Sequence, residues 1–225
     1  VWLITTDAVH VPFRGNATNA WFDAPGLAEG DTRVRARACV TNSGGVPVTV
    51  QLAHRLVDPD GVEVTAWSTT HELRPGVSVL DEEWSEPVAA PRLWSPETPH
   101  VYRVETRAVV DGETRDLVTS PFGFRWVAAD GEGFWLNGER RQLWGTNRHQ
   151  DMAGLGNALS DDQHRRDVQI VKETGFDFLR LAHYPQDPAV LHEADRLGLM
   201  VWEEIPVVNT ITPSDAFADN AEQRL

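Results

Sequence analysis

The sequence predicts two architectures in series: an all-β antiparallel sandwich, then a parallel sheet covered by helices. Three observations carry this. Apolar and polar residues alternate up to about residue 126. Turn residues interrupt that alternation at short intervals. From about residue 127, strand-like and helix-like segments take turns.

In the first half, Val34, Ala36, Ala38 and Val40 alternate with Arg33, Arg35 and Arg37. Val46, Val48, Val50 and Leu52 face one way, opposite Thr49, Gln51 and Arg55. Tyr102, Val104, Thr106, Ala108 and Val110 repeat the pattern. Successive side chains of a strand point to opposite faces, so each run buries one face. Asn42-Ser43-Gly44-Gly45, Asp58-Pro59-Asp60-Gly61 and Asp111-Gly112 are turn chemistry. The result is about seven strands, near 3–12, 32–41, 46–57, 62–68, 77–85, 101–110 and 117–126, an immunoglobulin-like sandwich. A single cysteine, Cys39, rules out an antibody-type disulfide. His10, His54, His71 and His100 read as surface or edge residues, and most of the tryptophans as core.

The second half opens with a connector, Ala128 to Gly133, and a hairpin. Phe134-Trp135-Leu136 pairs with Arg141 to Trp144 around Asn137-Gly138, the strongest short hairpin signal. Leu143 to Asn147 reads as a strand. Ser160 to Thr174 reads as a helix, with Ser160 as N-cap and Gly175 just past its end. Phe178 to Ala182 is a buried strand, Pro188 to Leu197 a helix stopped by Gly198, and Leu199 to Trp202 another strand. A β-α-β-α-β run gives parallel strands with covering helices. Thr212 to Leu225 shows no strong period and reads as irregular.

Composition narrows the function. Lys+Arg is 20 and Asp+Glu is 34, a net charge of −14. That balance disfavours nucleic acid or an anionic membrane as partner. No run approaches the about 18 apolar residues of a membrane span. A lone cysteine fits a reducing compartment, and the cytoplasm is the favoured location.

Polar residues collect where the three parallel strands end, the rim at which barrels of parallel strands do their chemistry. The first strand runs into Asn147-Arg148-His149. The second carries Arg180 and ends in His183-Tyr184, and the third ends in Glu203-Glu204. Imidazole and guanidinium suit sugar hydroxyls, and carboxylates suit acid/base work. The bland alternatives stand beside this. Arg180 would form an ion pair with Glu203 or Glu204, and each His would be a structural residue. His149 and His183 sharing a cation is the weaker option, because no ligand spacing supports it. Trp202 is placed nearest the rim, and Trp144 is read as packing.

At these residues the sequence resembles glycoside hydrolase family 2, and bacterial β-galactosidases most. The run Asp177-Phe-Leu-Arg180-Leu-Ala-His183-Tyr-Pro185, followed by Val190-Leu191, Asp195, Gly198 and Leu-Met-Val-Trp202, is similar to the family's strand-helix-strand signature. Gly145-Thr-Asn147-Arg148-His149 resembles its first barrel strand. Leu93-Trp94-Ser95-Pro96-Glu97 through Tyr102 and Phe122-Gly123-Phe124-Arg125 resemble its sandwich domain. Two positions depart from the pattern: Asp177 stands where Asn is common, and Leu181 where a small residue is usual.

The resemblance implies an immunoglobulin-like sandwich followed by the first β/α units of a (β/α)8 barrel. Residues 1–9 would be the tail of a jelly-roll sugar-binding domain, 10–127 the sandwich and 128–225 the N-terminal part of the catalytic barrel. His149 and His183 would contact the sugar, Asn147 would line it, Arg180 would support the site from beneath and Glu204 would sit behind it. The family's acid/base and nucleophile glutamates are expected beyond Leu225. The chain is therefore expected to be an inactive fragment of a retaining exo-β-galactosidase acting on β-galactosides or oligosaccharides. A β-glucuronidase, a β-mannosidase and a non-catalytic scaffold or binding module are the alternatives. Its partners would be the missing jelly-roll domain and barrel remainder, and the open barrel edge invites self-association. Some relatives hold a divalent cation after the third strand. Val208 and Thr210 are poor ligands there, so no metal or other cofactor is expected from this segment, although the full enzyme would have room for one.

Overall fold

A computed structural model describes residues 3–12, 19–22, 31–207 and 209–224. The chain forms two compact units, Val1–Leu93 with His100–Phe124, and Trp94–Pro99 with Arg125–Leu225. The segment Trp94–Pro99, similar in sequence to the sandwich domain, thus packs within the second unit.

The first unit contains ten described strands: β1 (Val9–His10), β2 (Asn19–Phe22), β3 (Asp31–Thr32), β4 (Val34–Asn42), β5 (Val48–Val57), β6 (Glu63–Leu73), β7 (Ser78–Trp84), β8 (Val88–Ala89), β9 (Tyr102–Val110) and β10 (Glu113–Phe122). In one sheet β4 pairs with β7 on one side and with β1 and β2 on the other. The other sheet runs β10-β9-β5-β6, antiparallel throughout. The core lies between them, with Val9, Ala38 and Val40 from the first sheet against Val50, Leu52, Leu73, Ala108 and Val110 from the second.

Several boundaries differ from expectation. The first strand shrinks to Val9–His10, and the last runs from Glu113 to Phe122 rather than over 117–126. Val46 precedes β5 in the turn and is exposed.

Two side-chain expectations are overturned. His54 is no surface residue: it is 2% exposed, on the inner face of β5 with Leu52 and Leu56. Its Nδ1 lies 2.9 Å from Thr106 Oγ1, and its Nε2 lies 3.5 Å from Asp81 Oδ2. His71 Nε2 meets the other oxygen of Asp81 at 2.9 Å. A buried imidazole needs polar company: β9 supplies a hydrogen bond through Thr106, and β7 brings the Asp81 carboxylate near Nε2 without a hydrogen bond. Burial pushes the Asp81 carboxyl up, but interactions with His54, Thr69 and His71 outweigh it and hold the group below its ordinary value. Nor are most tryptophans core. Among described side chains only Trp94 is fully buried, while Trp84, Trp144 and Trp202 are exposed. Trp202 lies on a face of the parallel sheet that the helices do not cover.

The second unit starts with a three-stranded meander, β11 (Val127–Asp130), β12 (Gly133–Leu136) and β13 (Glu139–Arg141). Asn137 and Gly138 turn the β12–β13 hairpin with φ of 53° and 80°, the pair of positive values that a type I′ turn needs. The hairpin's second strand stops at Arg141, short of Trp144. Then follow β14 (Gly145–Arg148), α1 (Asp161–Glu173), β15 (Phe178–Leu181), α2 (Pro188–Leu197) and β16 (Met200–Glu203). The three strands pair in parallel in the order β14-β15-β16. One face carries Leu179, Leu181 and Val201, which pack with Val168 of α1, Val190 and Ala194 of α2, and Leu199.

The helix ends follow the sequence signals. Ser160 caps α1 in a reciprocal pair with Gln163, and Asp187 with Pro188 starts α2. Gly198 ends α2 at φ 74°, where an added Cβ would lie 2.4 Å from the Pro96 carbonyl oxygen. The tail is not irregular: α3 (Asp215–Glu222) forms there, its first turn capped by the Ser214 hydroxyl on Phe217 N–H. A side-chain cap makes a short helix viable where apolar periodicity is weak. No helix among the described residues is long and apolar enough to cross a membrane.

Candidate functional site

Register decides what each strand end presents. Asn147, Arg180 and Trp202 are aligned across β14, β15 and β16, and so share one face. Arg148, Leu181 and Glu203 are aligned one residue later and share the opposite face, the one the helices cover. The two glutamates after Trp202 accordingly find different partners. Glu203 accepts the Gln186 backbone N–H at 3.1 Å. Glu204 accepts from Arg180 Nε on Oε1 at 2.6 Å, and its Oε2 lies 3.1 Å from His183 Nδ1.

Arg180, His183 and Glu204 therefore form a triangle at the ends of β15 and β16. The open choice for Arg180 resolves to Glu204, and the pair is half-exposed rather than buried, at 43% and 20% side-chain exposure. An ionised carboxylate only accepts, so the proton on His183 Nδ1 faces Glu204. Arg180 Nη2, 3.4 Å from the same nitrogen, is then a neighbour and not its donor. Nε2 remains as the ring's second hydrogen-bonding atom. The Arg180 bond is the main cause of a lowered Glu204 pKa. Desolvation opposes it, and His183 adds to it. Glu204 is thus a fixed anion that orients two donors, not a group poised to give a proton.

His149 joins this triangle through its ring, edge-on to His183 with centroids 5.3 Å apart and to Tyr184 at 6.2 Å. Asn147 is exposed and flanks Arg180 in register. Three of the five candidate residues thus touch by hydrogen bonds, the fourth by ring contact and the fifth by strand register. Val208 lies outside the described residues. Among the described residues no group of three His, Cys, Asp or Glu is placed to hold a metal ion.

Two residues escaped the sequence reading. Arg148 was visible only as the middle of Asn147-Arg148-His149, and Gln186 not at all. Arg148 is 7% exposed and donates to Asp167 Oδ2 at 2.8 and 3.1 Å, to His164 Nδ1 at 2.9 Å and to Gln186 Oε1. Strand alternation could have signalled that Arg148 points away from Asn147. Nothing in the sequence indicates that α1 would supply its counter-charge.

Comparison with known proteins agrees with this architecture. The model of glycosyl hydrolases family 2 matches residues 19–125, and that of the family 2 TIM barrel domain matches 127–223. A putative β-glucuronidase of Formosa agariphila is 34% identical over 92% of the chain, and β-galactosidase BoGH2A of Bacteroides ovatus 29% over 91%. The chain spans 24% of the length of each. Among solved structures, a Bacteroides uniformis β-glucuronidase matches 97% of the chain with TM-score 0.88 and 34% identity; the chain covers 27% of it. A putative β-galactosidase from Bacteroides fragilis matches 97% with TM-score 0.86 and 28% identity, and the chain covers 33% of it. An immunoglobulin-like sandwich and the opening β/α units of a TIM barrel thus agree with both matches, and the chain belongs to glycoside hydrolase family 2.

Proposed function

We propose that the protein containing these residues is a retaining exo-β-glycosidase acting on terminal β-galactosides, and that this chain contributes part of its sugar site. The carrying observation is the Arg180–Glu204–His183 triangle at the C-terminal ends of barrel strands in a family 2 chain. His183, its Nδ1 proton held by Glu204, offers Nε2 to a sugar hydroxyl. His149 stands beside it, and Asn147 offers an amide from the neighbouring strand.

A retaining glycosidase needs an acid/base and a nucleophile carboxyl about 5–5.5 Å apart, flanking the glycosidic bond. Glu203 and Glu204 do not fit those roles. One is turned to the Gln186 N–H on the helix-covered side, and the other is bound to Arg180 and His183. We therefore assign the catalytic pair to sequence outside these residues and expect the isolated chain to be inactive. Arg180, neutralised by Glu204, favours a neutral sugar over a uronate at this part of the site. A second reading, a β-glucuronide substrate, is favoured by the similarity to relatives named β-glucuronidase.

Nitrophenyl β-galactoside, β-glucuronide and β-mannoside, offered to the full-length protein and to this chain in parallel, test both readings. Cleavage of the galactoside by the full-length protein alone supports the proposal. A preference for the glucuronide replaces the substrate. Turnover by this chain alone overturns the placement of the catalytic pair. Silence of the full-length protein on all three leaves a non-catalytic scaffold.

A further inference from the structure

We propose that Gln186 is a positioning residue, backed by Arg148, that clamps the loop carrying His183 to all three barrel strands. The proposal rests on the glycosidase reading for its catalytic consequence, and on geometry alone for the clamp.

His183 is the second residue after β15, and its link to Glu204 is a single contact of 3.1 Å. What fixes the loop around it is Gln186, 7% exposed. Its amide Nε2 donates to the Arg148 carbonyl at the end of β14 at 2.8 Å, and to the Ala182 carbonyl just after β15 at 3.4 Å. Its backbone N–H donates to Glu203 Oε1 at the end of β16 at 3.1 Å. The Ala182 N–H also reaches the Arg148 carbonyl, at 3.0 Å. One residue therefore ties the ends of three neighbouring strands together, three positions after the imidazole.

The sense of the amide is dictated. Oε1 accepts from Arg148 Nη1, and Nε2 faces two carbonyls. A flipped amide would set NH2 against a guanidinium and oxygen against two oxygens. The guanidinium cannot swing aside, because Asp167 and His164 of α1 hold its other nitrogens. Buried polar groups with every partner in place define one geometry, and partial loss is costly. The chain of contacts runs from α1 through Arg148 and Gln186 to the backbone of His183.

Two variants separate the bonds. Gln186→Glu keeps the acceptor for Arg148 but faces both carbonyls with oxygen, and Gln186→Met removes both functions. The backbone N–H to Glu203 survives in each. In the full-length protein both variants are expected to lower kcat on the preferred glycoside by about 10–100-fold, with KM changed by less than about threefold, because a displaced imidazole is missed mainly in the transition state. Amide exchange should rise across residues 182–187 and stay unchanged across α1.

Wild-type-like kcat with unchanged exchange for both variants overturns the clamp. A raised KM at constant kcat overturns positioning for the transition state, since that signals lost uniform binding. Equal loosening of α1 by both variants also counts against it, as a general folding defect. A wild-type protein silent on every glycoside defeats the glycosidase reading instead, and the exchange result alone then decides the clamp.

Discussion

His183 and Glu204 meet across the ends of two parallel strands, imidazole Nδ1 to carboxylate Oε2 at 3.1 Å, while the other oxygen of Glu204 takes Arg180 Nε at 2.6 Å. Glu204→Gln keeps the shape but replaces an anion with a neutral amide. It should lower kcat/KM of the full-length protein by about 10–100-fold, since charge-assisted bonds are the stronger ones and orient the imidazole. The folded Glu204 pKa lies below its ordinary value of 4.5, so its stabilisation is complete at neutral pH and is lost as pH falls below that value. The stability gap between wild type and Glu204→Gln, followed by denaturant titration, should shrink as pH falls below 4.5.

Asp81 serves two histidines inside the sandwich, His71 Nε2 at 2.9 Å and His54 Nε2 at 3.5 Å, with only 4% of its side chain exposed. Asp81→Ala strips both of a partner and should destabilise the chain by about 1–3 kcal/mol in urea unfolding at pH 7. Because the folded carboxyl titrates below its ordinary 3.8, its contribution is present above that pH and lost beneath it. A difference that does not narrow in acid would show that Asp81 acts through packing instead of charge.

Gly198 and Gly175 end the two barrel helices with positive φ, but in different surroundings. An alanine Cβ at Gly175 meets open space, and at Gly198 it meets the Pro96 carbonyl at 2.4 Å. Gly175→Ala should cost about 1–2 kcal/mol from left-handed backbone alone. Gly198→Ala should exceed that, because the Pro96 segment must also move. Equal losses for the two in thermal melts would show that the Pro96 contact is readily relieved.

Ser160 and Gln163 cap α1 reciprocally, with Ser160 N–H on Gln163 Oε1 at 2.9 Å and Gln163 N–H on Ser160 Oγ at 3.4 Å. Ser160→Ala should reduce stability by about 1 kcal/mol. Ser160→Asp should restore most of it, as a carboxylate accepts the same N–H and suits a helix N-terminus.

The elements whose signals are local are legible: the Asn137-Gly138 turn, the Ser160 cap, the Gly198 stop and the alternating strands. The candidate site is legible in part, because Arg180 lies within a recognisable strand and His183 and Glu204 follow recognisable strand ends. Where a feature depends on a distant partner the reading failed. His54 looked like an edge residue until β9 and β7 placed Thr106 and Asp81 against it. Gln186 carries no sequence signal, and its role shows only in its amide between Arg148 and the Ala182 carbonyl. The tail helix is missed for a different reason: its apolar period is weak, and its start rests on the Ser214 cap.

Two periods, the turns and the caps were settled by the sequence itself, because each depends on φ/ψ preference and on neighbours a few residues away. By strand alternation Asn147 and Arg148 point to opposite faces. Tertiary structure decided what stands on each face. On one, Glu204 neutralises Arg180 and holds His183. On the other, α1 brings Asp167 and His164 to Arg148, 19 and 16 residues away in sequence. A side chain's charge is written in its own residue, but its partner is chosen by packing, which brings distant residues within hydrogen-bond reach.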